Sequence, residues 1–390
     1  MTKRKAQIRC GIVGLGFSGS HHLEAILRLG NAEVTAVAAR NVDKARAKAR
    51  RYGIEKVYGS FEELVTDPDI DVIDIATPTA SHYAIAIAAM QQDKHVIVDK
   101  PLALNVAEAE DMVRAAKAAG VVNAVTFNYR YNPLVQQARV MVQRGDIGKV
   151  HLVHGHYLQE WLLYPSDFSW RVEPEQSGQA AMIADAGSHW FDLVEHVTRL
   201  EITSVLAELR TVTKIRHKPT IARETFTESR DDSTEEYQVR VPDLGAAMLR
   251  FSNDAFGVFV TSPLCAGHKN DLRLELHGAQ ASMAWLQEEP NRLWIGKRGE
   301  PDQILTKDPP LLDPSIRHYA ALPGGHNEAW PDAFKNTMAN IFDFIVSGRH
   351  PDEADGISFA TFESGLRATR IAECLTKSGE AGGMWMEVMN

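Results

Sequence analysis

The glycine run Gly14-Leu15-Gly16-Phe17-Ser18-Gly19 constrains this chain more than any other stretch. The segment before it, Ile8-Arg9-Cys10-Gly11-Ile12-Val13, has the apolar character of a buried strand. After it, Leu23, Ile26, Leu27 and Leu29 fall at helical spacing, and Val34 to Ala39 has the character of a second strand. Strand, glycine turn, helix and strand make the setting in which such a run binds a dinucleotide. Gly14 permits the tight turn, Gly16 lets the backbone approach a pyrophosphate, and Gly19 lets helix and strand pack closely. Phe17 and Ser18 lie in the turn as candidate cofactor contacts, and the helix read from Ser20 to Leu29 offers its first N–H groups and partial positive charge to phosphate. The competing reading is a glycine-rich turn with no ligand.

Composition narrows the class. A chain of 390 residues fits two domains, and 44% hydrophobic with 24% charged residues is ordinary for a globular protein. The net charge of −9 provides no basic surplus for phosphates, which argues against a nucleic-acid partner. Cys10, Cys265 and Cys374 are odd in number and scattered, so neither a disulfide framework nor a zinc site is expected, and a reducing compartment is. No signal peptide or membrane span is legible, so a cytoplasmic protein is expected.

The second strand ends at Ala39-Arg40, where a ribose-binding Asp or Glu usually stands in the NAD version of the fingerprint. Without that carboxylate a 2′-phosphate meets no repulsion, and Arg40 can pair with it. The cofactor expectation is therefore NAD or NADP, leaning to NADP, with Arg40 as a solvated turn residue the other reading. Asp43 is expected to cap the helix Lys44–Arg51. Val72 to Ala76 is a strand, and Thr77-Pro78 at its carboxyl end is placed to touch the cofactor. His82 begins the next helix, either as a ligand contact or bonded to its own loop. A strand over 94–98 leads to Asp99-Lys100-Pro101, where Lys100 is a candidate proton donor or acceptor. Strands and helices alternate up to Phe127, implying a parallel sheet with helices on both faces and a domain boundary near 128.

Taken together, the glycine run, Thr77-Pro78 with His82, Asp99-Lys100-Pro101 and Phe127-Asn128-Tyr129-Arg130 resemble the Gfo/Idh/MocA oxidoreductases. The resemblance continues through Trp170-Arg171 and Asp185-Ala186-Gly187-Ser188-His189 to the C-terminal helices. It implies an α/β fold: a Rossmann-like doubly wound parallel sheet over 1–127, then a substrate-binding and oligomerisation α+β domain over 128–390. The second domain is expected on a large, open, mainly antiparallel sheet. The implied cofactor contacts include Asp99, Asn128, Trp170 and Arg171, and the implied substrate contacts include Lys100, Arg130, Tyr157, Asp185 and His189. One departure is visible: the family's usual triplet is Glu-Lys-Pro, and Asp99 is one methylene shorter. That puts in doubt any cofactor contact of the acid, though not the lysine's role.

Further along, His151, His154 and His156 lie on one strand, with His154 and His156 on a shared face. No third ligand is near in sequence, so no metal is expected, and a polar face is the plainer reading. Trp161, Tyr164, Phe168 and Trp170 make an aromatic-rich loop suited to a sugar wall, or to folding on itself. Asp185 and His189, four apart, share a helical face and can hold a hydroxyl and shuttle its proton. Within the resemblance they are catalytic, with Lys100 beside His189 so that the two cations lower each other's pKa. Asp192 either orients His189 or satisfies a buried donor. Alternating stretches from Ile202 to Ile295 are read as antiparallel strands, and Thr225–Glu236 and Glu300–Pro314 as loops. His326 either reaches a sugar hydroxyl or simply precedes a helix cap.

The expectation is an NAD(P)-dependent dehydrogenase or reductase on a sugar, anhydrosugar or cyclic polyol, working as a homo-oligomer. A redox-neutral glycosidase on the same fold and a non-catalytic dinucleotide sensor stay open as alternatives.

Overall fold

Four consecutive buried residues, Val72 to Ile75, form the strand at the centre of the first sheet. Parallel strands covered on both faces are buried at successive positions, here by aliphatic side chains at every place but Asp74. Each aliphatic side chain buried there contributes about 1.5–3 kcal/mol. The computed structural model describes residues 7–220, 233–351 and 357–389. In chain order the strands are β1 (Ile8–Val13), β2 (Ala32–Ala38), β3 (Lys56–Tyr58), β4 (Val72–Ile75), β5 (His95–Val98) and β6 (Asn123–Val125). They pair in parallel in the order β3-β2-β1-β4-β5-β6. The helices between them are α1 (Phe17–Leu27), α2 (Val42–Arg50), α3 (Phe61–Val65), α4 (His82–Met90) and α5 (Val106–Ala119). This is the expected doubly wound sheet. The cap of α2 is Asn41, whose side chain accepts from Lys44 N at 3.0 Å, and not Asp43, which lies in the first turn.

The chain divides into two units, and the division corrects a contiguous second domain. One unit is Met1–Phe127 with Phe334–Leu366; the other is Asn128–Ala333 with Arg367–Asn390. The reason lies at the sheet edge. An edge strand presents unpaired backbone groups, and β6 is covered by the returning chain: Val125 N donates to Ala360 O, and Phe362 N to Asn123 Oδ1, each at 2.8 Å.

Among the described residues, the second unit is built on a sheet of nine strands. In chain order they follow β7 (Val150–Leu158) and β8 (Ile202–Arg210), with a separate hairpin of β9 (Ile215–Pro219) and β10 (Thr234–Gln238). Then come β11 (Leu244–Phe251), β12 (Phe256–Ser262), β13 (Asp271–Gly278), β14 (Ser282–Leu286), β15 (Arg292–Gly296), β16 (Gln303–Thr306) and β17 (Met386–Glu387). The order is β16-β15-β14-β13-β7-β12-β11-β8-β17, antiparallel except for the β7–β12 pair. Two loop expectations change: β16 lies inside 300–314, and β10 takes the end of the charged 225–236 stretch, whose residues 225–232 fall outside the described ones.

The helical segments Ala181–Asp185 and Gly187–Thr198 cover one face of this sheet. Trp190 fixes the second of them. Its Nε1 donates to Arg273 O at 2.8 Å, and its ring stacks on Phe259 at 4.7 Å. Only glycine fits below it, since a Cβ on Gly155 would stand 2.4 Å from Trp190 Nε1 and 2.0 Å from Arg273 O. Among the described residues, no helix is long and apolar enough to cross a membrane.

Candidate functional site

In the first unit the glycine run has the geometry that a pyrophosphate cradle needs. Gly14 has φ +94°, and a Cβ there would lie 2.6 Å from Ala76 O. A Cβ on Gly19 would lie 2.0 Å from Gly14 O, so strand and helix could not approach as they do. Gly16 is different: a Cβ would meet nothing within 4 Å. The backbone there faces open space at the start of α1, where no side chain caps the helix. The first-turn N–H groups of a helix have no intrahelical partner, so this turn fits a phosphate. Phe17 is exposed beside it, and Lys48 Nζ donates to Leu15 O at 2.9 Å, tying α2 to the turn. Ala39 is half-buried and Arg40 exposed at the end of β2.

Four residues expected to touch the cofactor, Ser18, Thr77, His82 and Asp99, bond side-chain polar atoms to the protein. Asp99 accepts from Ser18 Oγ at 2.5 Å, Thr126 Oγ1 at 2.8 Å and Lys100 N at 2.9 Å. Burial alone would raise its pKa, but His22, Lys100 and these donors prevail and lower it. Its carboxylate thus clasps the glycine turn to the end of β5, a use within reach of the shorter acid. Ser18 offers its backbone rather than its hydroxyl. His82 is buried, with Nδ1 3.0 Å from Pro101 O and Nε2 2.9 Å from Thr77 O, so it braces two loops. Thr77 Oγ1 accepts from Ser81 Oγ at 2.7 Å, and Pro78 starts the short turn before α4.

Behind Asp99 lies a pair that local sequence does not announce. His22 on α1 and Asp74 on β4 are both 0% exposed, with His22 Nδ1 3.0 Å from both carboxylate oxygens. His22 Nε2 stands 4.0 Å from Asp99 Oδ1. Burial works against the imidazolium, yet Asp74 and Asp99 outweigh it and raise the His22 pKa.

The second unit gathers His189, Tyr129, Tyr157, Asn270, Asp185 and Arg171. The ring of His189, 7% exposed, meets Tyr129 edge-on at 4.7 Å and Tyr157 at 6.1 Å. The two tyrosines and Asn270 close a triangle. Their hydroxyls are 3.0 Å apart, Tyr157 donates to Asn270 Oδ1 at 2.5 Å, and Asn270 Nδ2 donates to Tyr129 at 3.1 Å. Burial pushes both phenols up, and the charge of Asp185 adds to it. They stay protonated and orient their neighbours.

Asp185 and His189 remain one turn apart, because the helical path continues through Ala186 (φ −87°, ψ −46°). Asp185 Oδ1 accepts from Arg171 Nε at 3.0 Å, and the Arg171 guanidinium lies 4.5 Å from the Trp170 ring and 5.8 Å from that of Trp161. The aromatic loop thereby anchors the arginine that holds the acid.

Arg130 is a correction. Expected at the substrate, its guanidinium is instead paired through Nε, at 2.7 Å, and Nη2 with buried Asp192. Asp192 therefore satisfies a buried donor and does not orient His189. Asn128 differs from Arg130: it is 1% exposed, and its side-chain amide finds no hydrogen-bond partner among the described residues. His326 is exposed on a loop fastened from below by Lys307, which donates to the carbonyls of Leu322 and His326 and pairs with Glu328 at 2.7 Å.

Sequence reasoning missed Tyr129, Asn270, His22 and Asp74 as members of these clusters. Tyr129 carried a signal, standing between Asn128 and Arg130 in the quoted motif. Asn270 carried none, since it precedes β13 and meets β7 only through strand pairing.

Comparison with known proteins agrees with this geometry. Residues 8–127 match the family model of the Gfo/Idh/MocA oxidoreductases described as an NAD-binding Rossmann fold, and residues 135–284 match that family's C-terminal domain. Levoglucosan dehydrogenase of Pseudarthrobacter phenanthrenivorans is 32% identical over 297 residues, covering 74% of this chain and 76% of that protein. Myo-inositol 2-dehydrogenase of Thermotoga maritima is 27% identical, covering 70% and 73%. A solved levoglucosan dehydrogenase in complex with NADH and levoglucosan superposes with a TM-score of 0.87 at 26% identity, over 98% of this chain and 100% of that one. With both halves matched in sequence and in fold, the chain belongs to the Gfo/Idh/MocA family of NAD-binding oxidoreductases.

Proposed function

We propose that this oxidoreductase moves a hydride between nicotinamide C4 and a hydroxyl-bearing ring carbon of a sugar, anhydrosugar or cyclic polyol. The observation that carries the reading is the buried constellation around His189, set beside Tyr129, Tyr157, Asn270 and Asp185. A proton-transfer group held among hydroxyl and amide groups suits a substrate rich in hydroxyls.

The dinucleotide, when bound, supplies the hydride acceptor or donor. Gly14, Gly16 and the first turn of α1 hold its pyrophosphate, with Phe17, Ser18, Thr77 and Pro78 around it. Arg40 serves the adenosine end and favours a 2′-phosphate, so NADP is preferred to NAD. Asn128, with an unanswered buried amide, is the further polar contact, and Trp170 and Arg171 are further cofactor contacts of this reading. His189 takes the proton of the reacting hydroxyl during oxidation and returns it during reduction, and Lys100 is the second proton-transfer candidate of this reading. Asp185, held by Arg171, fixes the hydroxyl. His326 reaches a more distant hydroxyl. Self-association belongs to the same reading, supported by exposed Met248, Phe256 and Val258 on the open face of the large sheet.

The deciding experiment follows reduced-nicotinamide absorbance with NAD and NADP separately against a panel of anhydrosugars, hexoses and inositols. Stoichiometric reduction with a panel member is the expected result. Dinucleotide binding with no turnover on the whole panel would sink the proposal.

A further inference from the structure

The absence of a third ligand near His154 and His156 was the ground for expecting no metal. The nine-stranded sheet supplies what local sequence does not. Glu275 on β13 pairs directly opposite His154 on β7, and His277 is two residues further along β13 on the same face. Tyr157, of opposite parity on β7, turns to the helix-covered face with His189, so this cluster is separate from the candidate catalytic one.

We infer that His154, Glu275 and His277 form a binding site for a divalent transition metal of the zinc type on the open face of the large sheet.

Three observations carry it. First, the three ligand atoms lie within 4.8 Å of one another. Glu275 Oε1 is 3.5 Å from His154 Nε2 and 3.4 Å from His277 Nε2. These distances are long for a hydrogen bond. They match the edge of a tetrahedron around an ion held at about 2.0–2.1 Å, where neighbouring ligand atoms stand about 3.3 Å apart. Second, the surrounding groups select the ligating forms. Ser282 Oγ lies 2.9 Å from His277 Nδ1 and can accept its proton, directing the Nε2 lone pair toward Glu275. Arg273 donates to Glu275 Oε2 through Nε at 3.1 Å and Nη2 at 2.6 Å, leaving Oε1 to face the imidazoles. Third, His277 Nε2 is shielded from solvent and makes no hydrogen bond among the described residues. The two imidazole rings lie nearly parallel, with centroids 5.2 Å apart, so both present an edge nitrogen to the same point beside Glu275.

Two imidazole nitrogens and one carboxylate oxygen favour zinc, nickel or copper over magnesium or calcium. With three protein ligands, a fourth position is left for water. The site spans the β7–β13 pair, so the ion acts as a clip between strands rather than in hydride transfer.

The test uses the full chain, stripped with a chelator and titrated with Zn²⁺ by calorimetry, and with Co²⁺ by visible absorption. One site per chain of submicromolar affinity is expected, with cobalt bands typical of nitrogen and oxygen ligands. His154→Ala and His277→Ala should each weaken that site by about 100-fold or more, and Ser282→Ala by about 10-fold, as loss of an outer-shell partner does. Should the histidine variants fail to fold, Glu275→Gln, of equal size, reads the same loss. A wild-type chain with no site tighter than micromolar overturns the inference. So does a folded variant, His154→Ala with His277→Ala or Glu275→Gln, that binds Zn²⁺ with unchanged stoichiometry and affinity, because the ion then sits elsewhere.

Discussion

The two units each bury a histidine among polar groups, and they do so to opposite ends. Around His22 the accounts close within the chain: Nδ1 meets both oxygens of Asp74, Asp99 lies beyond Nε2, and Asp99 is satisfied by Ser18, Thr126 and Lys100 N. Around His189 the neighbours Tyr129, Tyr157 and Asn270 satisfy one another, while the nearby chain leaves the buried Asn128 amide unanswered. A closed buried network specifies structure, and an open one leaves capacity for a ligand. Burial and residue type are alike in the two places; satisfaction separates them.

The comparison breaks most sharply at the groups proposed to be catalytic. His189→Ala and Lys100→Ala should each lower turnover about 10²–10⁴-fold while dinucleotide affinity, read by fluorescence titration, changes little. Normal turnover in either would remove the assignment.

The closed network should fail by unfolding instead. Asp74→Asn leaves His22 buried with a weakened partner, and denaturant melts should show a loss of about 3–5 kcal/mol, as when one member of a buried pair is removed. Because the folded pKa of His22 is raised, its contribution is fully present below the unfolded value. It is lost as pH rises through the folded pKa. The stability gap between wild type and Asp74→Asn should therefore narrow toward alkaline pH; a gap that widened there would contradict a charged His22. Arg130→Ala belongs with this group, exposing a buried Asp192, and its defect should be in the melting temperature rather than in KM.

A smaller effect sharpens the picture of the second cluster. Tyr129→Phe removes one hydroxyl from the triangle with Tyr157 and Asn270. Turnover should drop about 10-fold, on the order of 1–1.5 kcal/mol for a hydrogen bond, with the melting temperature nearly held. The reverse pattern would make the triangle purely structural.

The smallest effect concerns cofactor choice. Arg40 is exposed, and one screened contact of an exposed charge is worth about 0.2–1 kcal/mol. Arg40→Ala should thus shift the NADP-to-NAD preference by less than about 5-fold. No shift at all would leave Arg40 as a solvated turn residue.

How far each region could be read in advance follows from how local its signals are. The glycine run, the apolar strands β1, β2 and β4, and Asp185 with His189 one turn apart are short-range patterns, and the sequence displayed them directly. Asp99 and His82 were visible as motif residues, yet their motif could not say whether their polar atoms face a ligand or the protein. The return of Phe334–Leu366 to the first unit was not legible, because the edge strand it covers is more than 200 residues away.

The sequence by itself determined the class of fold, the cofactor-binding turn and the proton-transfer candidates. Spacings of two, three and four residues follow from backbone geometry alone. Only the tertiary structure decided which buried polar residues answer one another. His22 with Asp74, Arg130 with Asp192, and His154 with Glu275 and His277 are joined by packing and strand register across 52 to 123 positions. A satisfied hydrogen bond is a property of two places in space, and one residue in a chain carries no record of the other.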